Sequence, residues 1–210
     1  MPDRSETVVL VHGIWMTGFE MSLLRYRLAR CGYRTRLFHY ASVRRSPAEN
    51  AAALSQRLWQ LEAQKVHLVG HSLGGLVICH LLASHPLPNI GRVVMLGSPL
   101  RGSALARRLA RSRWTRWLLG QSIEQGLLGD LPHCGTSAEI GMISGTHGFG
   151  IGWLFGGSAL SRPNDGTVAL EETEHPAVAD RLSVPHGHFA LLFAREVAEA
   201  TCRFLRDGRF

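Results

Sequence analysis

Short apolar runs alternate with helical stretches along most of this 210-residue chain. Strands that are apolar on both faces are typical of a parallel sheet covered by helices on each side. Six runs have this character: Val8 to Val11, Arg34 to Tyr40, Val66 to Val69, Val93 to Leu96, Ile140 to Ser144 and Leu182 to Val184. The alternation therefore predicts an α/β fold, a doubly wound sheet of about six mostly parallel strands with helices on both faces.

Local signals mark the ends of the helices between these strands. Ser46 and Pro47 are typical of a helix N-cap followed by a first-turn proline, and Gly32 is typical of a glycine stop. The predicted helices are Phe19 to Cys31, Pro47 to Gln64, Gly74 to His85 and Phe189 to Arg206. The 45% hydrophobic and 19% charged composition is that of a globular protein, and the length predicts one domain spanning residues 1–210.

Two stretches fit the alternation poorly. Residues 99–138 form a long insertion between strands, and residues 145–180 form a glycine-rich connection. Long connections inside a compact domain are usually functional loops, lids or small subdomains. We expect residues 99–138 to form a lid or cap insertion, and substrate specificity to reside in these two stretches.

A serine flanked by glycines follows the third apolar run, in the segment Gly70-His71-Ser72-Leu73-Gly74. A serine on a sharp strand-to-helix turn has a strained backbone, so the residues two before and two after it must lack side chains. Such a nucleophile elbow exposes the serine Oγ in a cleft and directs free N–H groups toward negative charge on a substrate. The alternative is an ordinary glycine-rich turn with a buried serine, in a chain with 23 glycines.

A nucleophilic serine needs a base, and the base needs an orienting carboxylate. His188 lies just after the last predicted strand and before the last helix, at the sheet edge where Ser72 is also expected. Gly187 lets this loop turn toward the cleft, so we favour His188 over His186, two residues earlier. A surface histidine without a catalytic role is the alternative, because the chain has 11 histidines.

Asp165 is the preferred carboxylate, in a tight turn before Gly166. An aspartate before glycine often makes only an Asx turn, but a turn that fixes the backbone also fixes the carboxylate, so both interpretations are compatible. Asp130 is the remaining alternative. Asp180 precedes the last predicted strand and is expected at the wrong end of the sheet.

Acyl transfer also needs two N–H donors where negative charge develops. We assign them to the backbone of Leu73, next after the nucleophile, and of Ile14, in the loop after the first strand. His12, at the end of that strand, is expected to support the loop by hydrogen bonding. The side chains expected to contact the substrate are Trp15, His71 and Trp153.

Several motifs in chain order resemble those of the α/β-hydrolase family, and most closely its small bacterial lipases and esterases. They are Val11-His12-Gly13-Ile14, Gly70-His71-Ser72-Leu73-Gly74-Gly75, Leu96-Gly97-Ser98-Pro99, Asp165-Gly166-Thr167, and His188 before the last helix. The resemblance implies hydrolysis of carboxylic esters through an acyl-enzyme on Ser72, without a cofactor. It also implies a minimal form of the fold that lacks the first hairpin.

Other functions use related sites. A thioesterase or acyltransferase has the same triad, and a catalytically silent member of the fold can serve as a binding module. A metal site is not expected, because the chain has no H-E-x-x-H motif and no paired ligand spacing. The expected partner is a small-molecule or lipid ester, with no cofactor.

The net charge of +7 comes from 22 arginines and one lysine against 16 acidic residues. No recognised nucleic-acid motif accompanies them, so no nucleic-acid partner is expected. In the insertion, apolar residues recur at helical spacing between arginines: Ala106, Leu109, Ala110, Trp114, Trp117 and Leu118. Such a helix either makes transient contact with a lipid surface or covers the core with its apolar face, leaving the arginines merely solvated.

Cys31, Cys79, Cys134 and Cys202 are far apart and form no C-x-x-C pair, which predicts free thiols. The first six residues lead directly into an apolar strand and leave no room for a signal peptide. No run reaches the length of about 18 apolar residues that a membrane span needs. We therefore expect a cytoplasmic protein.

Overall fold

The strands of the computed structural model form one parallel sheet with the order β2-β1-β3-β4-β5-β6. The structure describes residues 6–85, 87–132, 134, 138–148 and 160–210. The strands are β1 (Glu6–Val11), β2 (Arg34–Phe38), β3 (Lys65–His71), β4 (Ile90–Leu96), β5 (Ile140–Gly145) and β6 (Val178–Val184). The predicted doubly wound parallel sheet is thereby confirmed.

The strand order reverses between β1 and β3, since β2 lies on one side of β1 and the later strands lie on the other. Ligands of open α/β sheets bind at the carboxyl ends of the strands at such a reversal. The loop after β1 and the turn after β3 therefore flank the position where a binding crevice is expected.

The described helices are α1 (Ser22–Arg30), α2 (Pro47–Trp59), α3 (Leu73–Ser84), α4 (Ala104–Ala110), α5 (Arg113–Leu119) and α6 (Arg195–Asp207). Helix α2 begins at the predicted cap, where Ser46 and Glu49 form a reciprocal capping box. Three predicted boundaries differ by more than one residue. Helix α2 ends before Gln64, and 3-10 turns at Phe19–Met21 and Ala190–Leu192 precede α1 and α6. None of the described helices is both long and apolar enough to cross a membrane.

Alternate residues of the strands pack into two separate apolar layers, one on each face of the sheet, because successive side chains of a strand point to opposite faces. Val8 and Leu10 of β1 pack in the layer that also contains residues of α1 and α6. Val9 and Val11 pack in the layer that contains residues of α2 to α5. Helices α4 and α5, both inside residues 99–138, thus cover the same face of the sheet as α3.

The four cysteines differ from the prediction of free thiols. Cys31 and Cys202 form a disulfide with their Cα atoms 6.4 Å apart, although they are 171 residues apart in the chain. Cys31 caps the end of α1 and Cys202 lies in α6, and both helices pack on one face of the sheet. The prediction is wrong for this pair, because the spacing along the chain says nothing about helices that meet only in the folded protein. Disulfides persist mainly in oxidising compartments, and the cytoplasmic location expected from the sequence stays a prediction. Cys79 and Cys134 are free and buried, as expected.

Candidate active site

Ser72 lies between the last residue of β3 and the first residue of α3, with φ 53° and ψ −120°. This is the strained turn that the sequence predicts. A Cβ atom on Gly70 would lie 2.7 Å from the backbone nitrogen of Gly75, and one on Gly74 would lie 2.1 Å from the carbonyl oxygen of Val11. The glycines are required because the start of α3 is pressed against both β3 and the end of β1.

His188 and Asp165 form a buried pair. The His188 Nδ1 atom lies 2.6 Å from Asp165 Oδ2, and the two residues are 4% and 1% exposed. The backbone N–H of His188 also donates to the carbonyl oxygen of Asp165, at 2.9 Å. Because the carboxylate oxygen accepts, Nδ1 carries the proton and Nε2 keeps the lone pair that a general base needs.

Asp165 also closes the turn that carries it. Its Oδ1 atom accepts hydrogen bonds from the backbone N–H groups of Thr167, at 2.9 Å, and Val168, at 2.7 Å. Asp165 therefore closes the turn through Oδ1 and contacts His188 through Oδ2, so both interpretations of this residue hold. Fixing Oδ1 to the backbone leaves Oδ2 in a single orientation toward His188.

The Asp165–His188 pair lies over the end of β4, next to the strand that carries Ser72. Gly97, directly after β4, has φ +56°, and a Cβ atom there would lie 3.1 Å from both Asp165 Oδ2 and His188 Nδ1. The backbone N–H of Ser72 donates to the carbonyl oxygen of Leu96, at 2.9 Å. Ser72, His188 and Asp165 thus converge at the carboxyl ends of neighbouring strands. Within the described residues, Ser72 Oγ makes no hydrogen bond. Catalytic hydrogen bonds often tighten only when substrate is bound.

The loop after β1 lies directly against this turn. A Cβ atom on Gly13 would lie 3.2 Å from Ser72 Cβ. In the described part of the chain, the backbone N–H groups of Ile14 and Leu73 have no hydrogen-bond acceptor. Leu73 opens α3, where free N–H groups and the helix dipole favour negative charge. The arrangement leaves two donors available near Ser72 for a developing oxyanion.

Buried contacts hold the loop after β1 in place. His12 Nδ1 lies 2.8 Å from the carbonyl oxygen of Gly13, and the imidazole stacks on the Tyr40 ring at 4.3 Å between centroids. The Tyr40 hydroxyl donates to the carbonyl oxygen of His12, at 2.7 Å. Burial lowers the pKa of His12, which favours a neutral ring. His12 therefore supports the loop, as its position in the sequence indicates.

Trp15 connects this loop to the insertion. Its φ of 59° is uncommon for a bulky residue. Two hydrogen bonds stabilise the conformation: the backbone N–H donates to Ser42 Oγ at 3.1 Å, and the indole Nε1–H donates to the carbonyl oxygen of Leu118 at 2.7 Å. The side chain is 45% exposed, and its predicted contact with substrate stays a prediction.

His71 contacts His188 rather than an open surface. It is fully buried, its Nε2 atom lies 3.2 Å from the carbonyl oxygen of His188, and the two rings are 4.7 Å apart. Burial lowers the pKa of His71 well below its usual value, so the ring is neutral. Since a carbonyl oxygen only accepts, Nε2 is the protonated nitrogen. This placement favours a positioning role over the predicted substrate contact.

The alternative residues lie elsewhere. His186 Nε2 lies 2.7 Å from Glu196 Oε1, in the first turn of α6. The Asp130 carboxylate accepts from the backbone N–H groups of residues 125 and 126 and closes a local turn. Asp180 lies inside β6 rather than before it, and its Oδ2 accepts from the backbone N–H of residue 210. Trp153 lies outside the described residues.

Glu172 is a buried carboxylate that sequence reasoning missed. It accepts from the backbone N–H of Ala104, the first residue of α4, and of Ala169, at 2.8 Å. Burial raises the pKa of Glu172. The side chain joins the start of the insertion to the loop that carries Asp165. No signal in the sequence distinguishes it from the neighbouring Glu171 and Glu174.

Comparison with known proteins gives a family model and a group of structural neighbours. The model described as "Domain of unknown function (DUF7379)" matches residues 2–144, a stretch that includes Ser72 and ends before Asp165 and His188. No curated protein matches the sequence.

Solved structures superpose on most of the chain. The mature lipase BlEst2 of Bacillus licheniformis has a TM-score of 0.73 at 24% identity, over 89% of this chain and 86% of that one. The esterase EaEST of Exiguobacterium antarcticum has a TM-score of 0.64 at 16% identity, over 96% and 92%. A bromoperoxidase of Bacillus anthracis has a TM-score of 0.62 at 18% identity, over 96% and 92%. These likenesses confirm the α/β-hydrolase fold that the sequence motifs imply, and at such identities they show the fold alone.

Proposed function

The chain belongs to the family described as "Domain of unknown function (DUF7379)", and from its own site we propose that it is a serine hydrolase that cleaves carboxylic esters. The observation that carries the proposal is the buried 2.6 Å pair of His188 Nδ1 and Asp165 Oδ2, held at the end of the strand next to the strained Ser72 turn. A buried imidazole with one nitrogen fixed by a carboxylate is the arrangement that activates a serine hydroxyl.

In the proposed reaction, Ser72 Oγ attacks the ester carbonyl carbon while His188 Nε2 takes the hydroxyl proton. Asp165 keeps the Nδ1 proton in place and stabilises the imidazolium that forms. The N–H groups of Ile14 and Leu73 bind the negative oxygen of the tetrahedral intermediate. His188 then returns the proton to the departing alcohol, which leaves an acyl group on Ser72.

Water completes the cycle. His188 removes a proton from a water molecule that attacks the acyl carbonyl, and returns it to Ser72 Oγ as the acid is released. The proposed reaction cycle needs only groups of this chain, the substrate and water. The lipase and esterase named among the structural neighbours support an ester as the substrate.

The test is covalent labelling by a fluorophosphonate probe together with turnover of p-nitrophenyl esters of increasing acyl length. We expect the wild-type chain to be labelled and active. Ser72→Ala is expected to lose labelling and to lower kcat by about a millionfold. Labelling that survives Ser72→Ala, or a folded wild-type chain that neither reacts nor turns over any ester, contradicts the proposal and indicates a silent member of the fold.

A matched histidine pair tests the choice of base. His188→Ala is expected to abolish turnover, while His186→Ala is expected to keep it, because His186 faces Glu196 rather than Asp165. The two variants remove the same side chain two residues apart. The reverse pattern assigns the base to His186 and overturns the triad proposed here.

A further inference from the structure

An unusual surface covers the outside of α4 and α5. We call it the arginine–tryptophan surface, and its members are Arg101, Arg107, Arg108, Arg111, Arg113, Trp114, Arg116 and Trp117. The arginines are all exposed, and the two indoles are 87% and 71% exposed. Neighbouring exposed apolar side chains that form one patch, unlike single exposed ones, mark an interaction site.

The tryptophans are not part of the core-covering stripe. Leu105, Ala106 and Leu109 of α4 and Leu119 of α5 are buried in the layer beneath. Trp114 and Trp117 are three residues apart, which places them on one face of α5, and that face is exposed. The interpretation in which both tryptophans pack on the core is therefore wrong.

The charge of the molecule is concentrated on this surface. Residues 101–123 contain six arginines and no carboxylate, and the chain as a whole has a net charge of +7. The rest of the chain is therefore close to neutral. Arg101 pairs with Glu174 and Arg107 lies 3.8 Å from Glu172, whereas Arg108, Arg111, Arg113 and Arg116 have no ion pair with the described residues. Four unneutralised guanidinium groups beside two exposed indoles favour an anionic partner.

We propose that the arginine–tryptophan surface binds the anionic face of a lipid bilayer. Indole rings prefer the level of the lipid head groups, and arginines are attracted to anionic lipids. The strength of membrane-surface binding increases with the apolar area that is buried and with the electrostatic attraction to anionic lipids, and this surface provides both. Arg107, Arg108 and Arg111 also line an open groove of ≈ 600 Å³, where phosphate oxygens of a head group can lie.

This surface adjoins the candidate site. The indole N–H of Trp15 in the loop after β1 donates to the carbonyl oxygen of Leu118 at the end of α5. A bilayer seated on α4 and α5 would therefore lie close to the loop that carries Ile14 and Trp15. The inference goes beyond the proposed reaction and does not depend on it, so it can be tested with the Ser72→Ala variant of the 210-residue chain.

The experiment is vesicle flotation. Vesicles of phosphatidylcholine alone are compared with vesicles in which roughly one third of the lipid is phosphatidylglycerol. We expect flotation only with the anionic vesicles. Raising the salt to about 1 M shortens the Debye length to about 3 Å and is expected to release most of the protein.

Two pairs of variants locate the contact. Trp114→Ala with Trp117→Ala is expected to lower the vesicle partition coefficient by about tenfold. The double variant Arg108→Gln with Arg111→Gln is expected to lower the vesicle partition coefficient by about fivefold for each arginine replaced. The matched controls are Trp59→Ala, an exposed tryptophan on α2, and Arg203→Gln with Arg209→Gln, two exposed arginines in the C-terminal region. The controls are expected to bind like the parent chain, and equal unfolding midpoints verify that all variants fold.

Three results would each overturn the proposal. The protein binds neutral and anionic vesicles equally well, the control variants lose as much vesicle binding as the surface variants, or vesicle binding is unchanged when both tryptophans are replaced. A single-stranded oligonucleotide is included as a competitor. If it binds more tightly than the vesicles, with the same dependence on Trp114 and Trp117, the surface is a nucleic-acid site instead.

Discussion

At the scale of single residues, Asp165 uses its two carboxylate oxygens for different purposes. Oδ1 accepts the N–H groups of Thr167 and Val168, while Oδ2 accepts the Nδ1 proton of His188. A carboxylate has two oxygens, so one can close a turn while the other contacts a second side chain. Here the turn sets the orientation that the chemistry needs.

Asp165→Asn separates the two roles. The amide oxygen can still accept from Thr167 and Val168, so the unfolding midpoint is expected to stay close to that of wild type. The amide NH₂ group faces His188 as a donor, which favours the opposite tautomer and leaves Nε2 protonated. We expect kcat for an ester to fall by about 10⁴-fold. The kcat measured beside a thermal melt checks this, and a loss of less than about tenfold contradicts the assigned role of Asp165.

At the scale of elements, the turn between β3 and α3 is defined by close packing on β1. A Cβ atom on Gly74 would meet the carbonyl oxygens of Val11, at 2.1 Å, and His12, at 2.7 Å. Those oxygens belong to backbone that is itself buried, so the clash cannot be relieved by rotating a side chain. The same contact brings the loop after β1 beside Ser72.

Gly74→Ala is therefore expected to destabilise the protein by about 3 kcal/mol, the upper end of the usual cost of overpacking. Separation of α3 from β1 would also displace the N–H groups that we propose as oxyanion donors. Urea unfolding measures the change in the free energy of unfolding. Ser84→Ala, at an exposed position near the other end of α3, is the control and is expected to be close to neutral. A stable Gly74→Ala variant would show that α3 does not need this close approach.

At the scale of the whole molecule, three buried histidines are held neutral. Burial is the largest cause that lowers the pKa of His12, His67 and His71. The unfolded chain protonates these rings as the pH falls below about 6.5, whereas the folded chain resists protonation until a lower pH. The unfolded state then binds more protons, so the free energy of unfolding falls as the pH decreases from about 6.5.

Each histidine adds up to about 1.4 kcal/mol per pH unit to this slope. His71→Gln keeps a donor toward His188 but cannot titrate, so its stability is expected to depend less steeply on pH than that of wild type. Urea unfolding between about pH 7 and pH 5 measures both slopes. The exposed His147→Gln is the control and is expected to follow wild type. Equal slopes for His71→Gln and wild type would mean that His71 is not held neutral by the fold.

Much of the fold was predictable because its signals are local. The six strands occur where apolar runs indicate them, with boundaries shifted by up to four residues, and the capping box at Ser46 was readable from sequence. The strained turn at Ser72 was likewise predictable, because such a turn has no room for a Cβ atom at Gly70 or at Gly74. The motifs after β1, β3 and β4 all lie at carboxyl ends of strands, where a parallel sheet places them together.

The parallel sheet, the Ser72 turn and the order of the candidate serine, acid and histidine could all be predicted from local patterns in the sequence. Three features depend on tertiary packing instead: Asp165 pairs with His188 rather than with His186, Cys31 meets Cys202 across 171 residues, and Trp114 and Trp117 face outward. The two groups differ because periodicity and steric demands act between near neighbours in the chain. Which side chains meet across two layers of helices depends on packing that no local pattern encodes.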